Sequence, residues 1–279
     1  MPELPEVETV ARGLAQVWEG RKFASVACHR AGLRQPFPPD FASRLTGRRV
    51  ERVERRAKYL VVRLDGGLIM LGHLGMSGRM VISALRNSPP GLHDHVEFVT
   101  DDSVLVTLTD PRRFGLLTLC DAAELGAHRL LAGLGPEPLS PAFDAPVLAA
   151  ALAGKATPIK SALLDQRLVA GLGNIYVCES LFRCKVSPLR EAGSLDRDEI
   201  TRLVEAIKTV LREAIAAGGS SLKDHVRPDG ELGYFQHSFK VYGRAGLRCD
   251  GCPGAGECDG IRRIVQAGRS TFYCAERQR

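Results

Sequence analysis

The stretch Tyr59–Leu71, YLVVRLDGGLIML, joins two apolar runs across Asp65-Gly66-Gly67 and sets the fold class of the first half of the chain. Its runs are rich in Val, Leu and Ile, and an Asp-Gly turn between such runs is a hairpin signal, because glycine reaches the positive φ that a tight reversal needs. Strands joined this tightly lie antiparallel. Further on, VEFVT (96–100), SVLVTL (103–108) and GLLTLC (115–120) continue the short β-rich pattern. In the other direction, residues 5–18 put Val7, Val10, Ala11, Leu14 and Val17 on one helical face, with Pro5 and Glu6 suited to a first turn. The simplest architecture is an antiparallel β-sandwich with a leading helix packed on it, over residues 1–131.

Residues 132–146, AGLGPEPLSPAFDAP, carry four prolines and no usable periodicity, which predicts a linker. A helical domain is expected over 147–240. Asp196 can cap a helix with Glu199, Ile200, Leu203, Val204, Ile207, Leu211 and Ile215 form its stripe, and Gly218-Gly219 ends it. Within 157–183, an apolar helix, a turn with Gly171 and Gly173, and a second helix from about Asn174 follow one another. Two readings fit that turn: an ordinary helix–helix connection, or a glycine turn that lets backbone N–H groups approach a phosphate.

A chain of 279 residues suits two domains, and 44% hydrophobic with 25% charged residues is ordinary for a globular protein. No apolar run approaches the roughly 18 residues of a membrane span, and MPELPEVETV lacks the basic and apolar stretches of a secretory signal, so a cytoplasmic protein is expected. The net charge of +6 is concentrated, because residues 240–279 hold eight Lys or Arg against four acids. A basic tail suits a polyanion, although a modest excess also fits a plain solvated surface. Four of eight cysteines fall between 249 and 274, as metal ligands would, while Cys28, Cys120, Cys178 and Cys184 are scattered, as core residues would be.

Pro2 also fits two readings. With Glu3 it can simply open the first helix. If Met1 is removed, it instead presents a secondary amine whose ordinary pKa, about 7.7–8.0, leaves a useful fraction nucleophilic at neutral pH. Attack on a sugar C1′ would expel the base and leave a protonated imine that acidifies the C2′ proton, so strand cleavage by β-elimination follows.

The segments MPELPEVET (1–9), RRAKYL (55–60), HLGMSG (73–78), HDHVE (93–97), TDPRRFG (109–115), GLGNIY (171–176) and GRSTFYC (268–274) resemble, in order, the motifs of the bacterial formamidopyrimidine-DNA glycosylases. The resemblance runs from end to end. It implies an α+β, multidomain chain: a β-sandwich domain, a helix-two-turns-helix domain over 147–240 and a C-terminal zinc finger over 241–279. It implies a bifunctional glycosylase and AP lyase that excises 8-oxoguanine and formamidopyrimidines from damaged double-stranded DNA, acting as a monomer in the bacterial cytoplasm.

Residue by residue, the resemblance makes Pro2 the Schiff-base nucleophile, Glu3 a proton donor, Glu6 a supporting acid and Lys58 the lysine of β-elimination. Met76, Arg112 and Phe114 resemble the side chains that fill the gap left by a flipped base, for which an apolar wedge and a guanidinium are suited. His93, Lys155, Lys160 and Asn174 match positions that contact the DNA backbone, and residues 219–242 resemble a mobile loop over the flipped base. Arg269 resembles the finger arginine that grips phosphates and is linked with δ-elimination.

The finger departs from the family pattern of two Cys-x2-Cys pairs. Cys249, Cys252 and Cys274 match, but Arg277 stands in place of the last cysteine. Cys258, in an extended first knuckle, can replace it and close a four-thiolate site for one structural zinc. The alternatives are a site short of its fourth thiolate, or one completed by water or another residue. Two rivals share the fold: an endonuclease VIII-like enzyme for oxidised pyrimidines, less suited by TDPRRFG and Met76, and a non-catalytic damage binder, which would be expected to lack Pro2, Glu3 or Lys58.

Overall fold

The computed structural model describes residues 2–85, 88–220, 228, 233–252 and 258–279. They form a mixed α/β chain of two compact units, Met1–Ala132 with Ile215–Gln236 and Gly133–Ala214 with His237–Arg279.

The first unit holds two antiparallel four-stranded sheets. One runs β2 (Val50–Arg56), β3 (Tyr59–Leu64), β4 (Leu68–His73), β8 (Leu116–Asp121). In it Leu64 pairs Leu68 and Tyr59 pairs His73, so the expected hairpin closes across three residues, with Gly66 and Gly67 at φ 70 and 74°. The other runs β1 (Phe23–Cys28), β6 (Asp94–Thr100), β7 (Val104–Thr109), β5 (Arg79–Ala84). Val53, Val62 and Met70 of the first sheet share one buried core with Val26, Phe98 and Val106 of the second, which makes a sandwich.

Helix α1 (Leu4–Trp18) adds Val7, Val10, Ala11 and Leu14 to that core, as its periodicity predicts, and the short α2 (Phe41–Leu45) adds Phe41 and Leu45. Val17 is only half-buried, because Trp18 takes the inward position and packs on Phe23 and Phe98 with ring centroids 5.1 and 5.3 Å away. Large rings give that position to Trp18, since burying such a side chain is worth about 1.5–3 kcal/mol.

The second unit contains α3 (Ala145–Leu152), α4 (Ile159–Leu164), α5 (Asn174–Arg183), most of α6 (Arg197–Ala216) and a hairpin of β9 (Arg262–Gln266) and β10 (Arg269–Tyr273). Asp196 and Glu199 cap α6 reciprocally, each backbone N–H donating to the other's carboxylate at 2.9 and 2.8 Å. The connection from α4 to α5 closes on Gln166, whose amide accepts from Gly171 N–H at 2.9 Å and donates to the Leu172 carbonyl at 2.8 Å. Of residues 132–146, read above as a linker, 133–144 are folded onto this unit. Gly135 donates to the Gln166 carbonyl at 2.9 Å, the Pro136 carbonyl accepts from Ala170 at 3.0 Å, and Phe143 is wholly buried. Proline removes a donor but keeps its acceptor, so a proline-rich stretch without periodicity can still be docked.

Candidate active site and cysteine cluster

The head of α1 is buried where a solvated turn would be ordinary. Pro2, Glu3 and Glu6 are all buried, with Glu3 as the N-cap residue. Glu3 and Glu6 form a capping box in which one Glu6 oxygen accepts the Glu3 N–H at 2.8 Å. The other Glu6 oxygen accepts both the N–H and the hydroxyl of Ser220 at 2.8 and 2.9 Å. One carboxylate thus ties the first turn of α1 to a residue 214 positions away. Gly219 makes the approach possible: at φ +81° a Cβ there would stand 3.1 Å from Glu6 Cγ. Beyond Ser220 the expected covering loop falls largely outside the described residues, at 221–227 and 229–232. Its stems are joined, with Tyr234 N–H on the Ala217 carbonyl at 3.1 Å and Phe235 N–H on the Gly219 carbonyl at 3.0 Å.

Lys58 lies in the two-residue turn between β2 and β3, where Arg56 pairs Tyr59 and Ala57 adopts φ 54°. It is buried, with 8% of its surface exposed, which sets it apart from an ordinary lysine before a strand. Arg55 places this turn relative to α1: its Nε donates to Glu8 at 2.9 Å and its other arm to the Ala57 carbonyl at 2.9 Å. His73, across the hairpin from Tyr59, accepts the Gly75 N–H on Nδ1 at 2.9 Å. Burial, then the charges of Lys58 and Arg34, lower its pKa to about 4, so at neutral pH the ring is uncharged and carries its proton on Nε2.

Met76, Arg112 and Phe114 come together on two loops that touch. A Cβ at Gly75 (φ +62°) would strike the backbone of Phe114, and the Arg112 guanidinium lies 4.8 Å from the Phe114 ring centre. The staple is Asp110, which is wholly buried. One of its oxygens accepts the Ser77 hydroxyl at 2.6 Å, the other accepts the Gly115 N–H at 2.8 Å, and Ser77 in turn accepts the Arg112 N–H at 3.1 Å. Held this way, Met76 and Phe114 stay 40% and 44% exposed, where an ordinary core role would bury both. His93 is exposed, and its carbonyl accepts the Asp110 N–H at 3.0 Å.

In the second unit, Arg269 is exposed at the start of β10, just after a turn with Ala267 and Gly268 at φ 47 and 73°. Asn174 donates to the Ser270 carbonyl at 2.8 Å, beside Arg269. Lys160, expected on the DNA backbone, is wholly buried; its ammonium donates to that same carbonyl at 3.1 Å and to the Thr271 hydroxyl at 2.7 Å. Its charge is thereby directed at the hairpin rather than at a phosphate. Lys155 is half-buried. Glu179, on α5, accepts three consecutive N–H groups from Lys240, Val241 and Tyr242 at 2.9, 3.0 and 2.8 Å.

Cys249, Cys252 and Cys274 bring their sulfurs within 4.8 Å of one another, with Cys252 and Cys274 3.6 Å apart. Gly251 N–H donates to the Cys249 sulfur at 3.4 Å, as in a metal-binding knuckle. Cys258 packs against the same cluster as Cys252, and its thiol is lowered by the backbone N–H groups of Gly260 and Cys249. A donor set made only of thiols, on a small apolar floor of Cys178, Phe182 and Phe272, fits a metal that prefers sulfur in a closed tetrahedral site.

Sequence reasoning passed over Arg55, His73, Ser77, Asp110 and Glu179. The first four lie inside the quoted motifs, where the expected function went to their neighbours. Glu179 carries no pattern of its own.

A buried proline–glutamate head on α1, a cationic turn in the same unit, exposed Met76, Arg112 and Phe114 on loops stapled by Asp110, and a separate unit with a cysteine cluster and a hairpin are the features of a base-excising enzyme of DNA. Comparison makes the class specific. A family model described as the formamidopyrimidine-DNA glycosylase N-terminal domain matches residues 1–117, and one described as the formamidopyrimidine-DNA glycosylase H2TH domain matches 134–226. A formamidopyrimidine-DNA glycosylase of Acidiphilium cryptum is 57% identical, with all of both chains covered. The crystal structure of the MutM (Fpg) protein from Thermus thermophilus is 41% identical with a TM-score of 0.86, covering 99% of this chain and 98% of that one. A Lactococcus lactis Fpg mutant in complex with Fapy-dG-containing DNA is 33% identical with a TM-score of 0.89, covering both chains fully. The chain belongs to the formamidopyrimidine-DNA glycosylase family, whose members are DNA-binding repair glycosylases with AP lyase activity. Among the described residues no helix is long and apolar enough to cross a membrane.

Proposed function

We propose that this chain excises oxidised purines, 8-oxoguanine and formamidopyrimidines, from duplex DNA and then cuts the strand by β,δ-elimination, in the bacterial cytoplasm. The observation that carries this reading is the buried head of α1, where Pro2 is buried and the Glu3 N–H after it is held by the Glu6 carboxylate. Once Met1 is removed, the Pro2 nitrogen attacks the sugar C1′ and the bond to the base breaks, its electron pair leaving with the base, which takes up the proton the amine gives up. The C1′–O4′ bond of the sugar then opens, its electron pair going to O4′, which takes a proton from Glu3. The resulting iminium draws electrons from C2′. Loss of the C2′ proton, in which Lys58 acts, expels the 3′ phosphate, and a second elimination, with Arg269 gripping the phosphates, expels the 5′ phosphate.

Met76, Arg112 and Phe114 occupy the space of the flipped base, Phe114 as a wedge and Arg112 as hydrogen-bond donor to the orphaned cytosine. His93, Lys155 and Asn174 hold the backbone, while Lys160 works at one remove, by seating the hairpin that carries Arg269. In this division residues 1–131 carry the chemistry, and 147–240 and 241–279 the grip. A structural zinc in the cysteine cluster supplies no chemistry at the sugar; it cross-links the finger. The purine reading is supported by the family match and by the Fapy-dG-containing DNA seen with the Lactococcus lactis relative, which is also seen with DNA containing an oxidised pyrimidine.

Borohydride reduction in the presence of 8-oxoguanine duplex tests the mechanism. Protein shown by mass spectrometry to begin at Pro2 should be trapped as a covalent adduct through that residue. No adduct from such protein defeats the covalent step.

A further inference from the structure

The place of the family's last cysteine is taken by a side chain with work of its own. The Arg277 guanidinium donates to the Gly251 carbonyl at 2.8 Å and lies 5.0 Å from the centre of the Phe182 ring, on α5. It therefore reaches from the second knuckle back to the first and leans on the floor of the finger. Gly251 is matched to it, because a Cβ there would fall on the guanidinium. The residues around Arg277 are fastened without any metal. Gln278 accepts the Cys274 N–H at 2.9 Å and donates to the Val186 carbonyl at 2.9 Å, and Arg279 N–H reaches the Lys185 carbonyl at 3.1 Å.

The donors left for a metal are uneven in origin. Cys249 and Cys252 belong to the first knuckle and Cys274 follows β10, these three sulfurs lying within 4.8 Å of one another, and Cys258 packs on the apolar cluster that includes Cys249 and Cys274. A guanidinium is always charged and has no lone pair to offer a cation, so Arg277 cannot itself be a ligand.

Resting on the zinc reading above, we propose a three-plus-one finger: Cys249, Cys252 and Cys258 from the first knuckle and Cys274 from the hairpin form the thiolate site, and Arg277 braces the two knuckles where a fourth cysteine would otherwise link them. The brace gives the second knuckle a metal-independent hold. The metal then chiefly closes the first knuckle around Cys258.

The test uses the full chain, with zinc content by mass spectrometry, cobalt-for-zinc absorption spectra and the rate of zinc release to a coloured chelator. Wild type should hold one zinc, and its cobalt form should show the charge-transfer intensity of four thiolates. Cys258→Ser should lose about a quarter of that intensity, and Cys258→Ser combined with Arg277→Cys should regain it. Arg277→Ala should keep one zinc and full intensity but release zinc roughly tenfold faster, as loss of a supporting contact does. Wild-type intensity in Cys258→Ser overturns the ligand set. An unchanged release rate in Arg277→Ala overturns the brace, and a double variant that folds by circular dichroism without regaining intensity overturns the exchange of roles. A wild-type chain that takes up no zinc or cobalt refutes the zinc reading itself, an outcome separate from all of these.

Discussion

Asp110 is the residue whose change most sharply separates base eviction from the chemistry that follows it. It is wholly buried, and its carboxylate accepts the Ser77 hydroxyl at 2.6 Å and the Gly115 N–H at 2.8 Å. Asp110→Asn keeps the shape but replaces one acceptor oxygen by a donor. The amide oxygen can serve Gly115 or Ser77, not both, so one charge-assisted bond of about 1.5–3 kcal/mol is lost. Taking about 2 kcal/mol, the loops carrying Met76, Arg112 and Phe114 occupy their stapled arrangement roughly 30-fold less favourably. Thermal melting should fall by about 4–8 °C for a unit of this size. Excision of 8-oxoguanine paired with cytosine should slow about 10- to 30-fold, because the gap left by the base is no longer filled. Cleavage at a preformed abasic site needs no base turned out, so single-turnover rates there should stay within about threefold of wild type. Equal losses on both substrates, or none on the damaged base, would refute the role given to the staple.

His73 predicts a pH dependence. Its folded pKa of about 4 lies below the ordinary 6.5, so the unfolded chain binds a proton that the folded chain does not. Stability is therefore full above pH 6.5 and falls as pH drops toward 4, by on the order of 3 kcal/mol; denaturation of His73→Gln should show a flatter slope across that window, and an unchanged slope would contradict the assignment. Glu6→Ala strips the acceptor from Glu3 N–H and from Ser220, and should destabilise the chain by about 2–4 kcal/mol in urea titrations. Glu179→Ala leaves three backbone donors at 240–242 without their acceptor, so faster amide exchange should appear there first. Lys160→Met should weaken DNA binding without altering its salt dependence, whereas loss of a true phosphate contact lowers the slope by about 0.9.

How much of this could be read from the residues depended on whether the information was local. The β3–β4 hairpin was legible because Asp65-Gly66-Gly67 and the flanking runs specify it without help from elsewhere. The α6 cap was legible for the same reason, since Asp196 and Glu199 satisfy each other three residues apart. Within 132–146, residues that read as a linker are docked instead, because their partners, Gln166 and Ala170, lie far along the chain where no local pattern points to them. Trp18 was missed as the inward residue of α1 because only Phe23 and Phe98 decide it. For the site, motif resemblance proposed Pro2, Glu3, Lys58 and the exposed trio, and of the residues packed around them it pointed only to Glu6, not to Arg55, Ser77 or Asp110.

Lys160 and Asp110 show why that gap is physical rather than accidental. A charged side chain on the surface of a DNA-binding protein can meet a phosphate, and residue type alone favours that reading. Burial changes the task, because a charge removed from water must be met by polar groups of the protein itself. Lys160 finds them in Ser270 and Thr271, so its charge is used up in seating the strand that begins with Arg269. Asp110 finds them in Ser77 and Gly115, and so fixes the loop from which Arg112 and Phe114 project. Arg277 follows the same logic in the finger, where the Gly251 carbonyl and the Phe182 ring absorb a charge placed where a metal ligand would otherwise stand. On the reading proposed above, Arg269 and the Arg112/Phe114 pair meet the nucleic acid, and a buried charge, Lys160 or Asp110, sets the direction of each. A substitution at the buried partner therefore changes where the exposed one points before it changes how strongly the chain holds DNA.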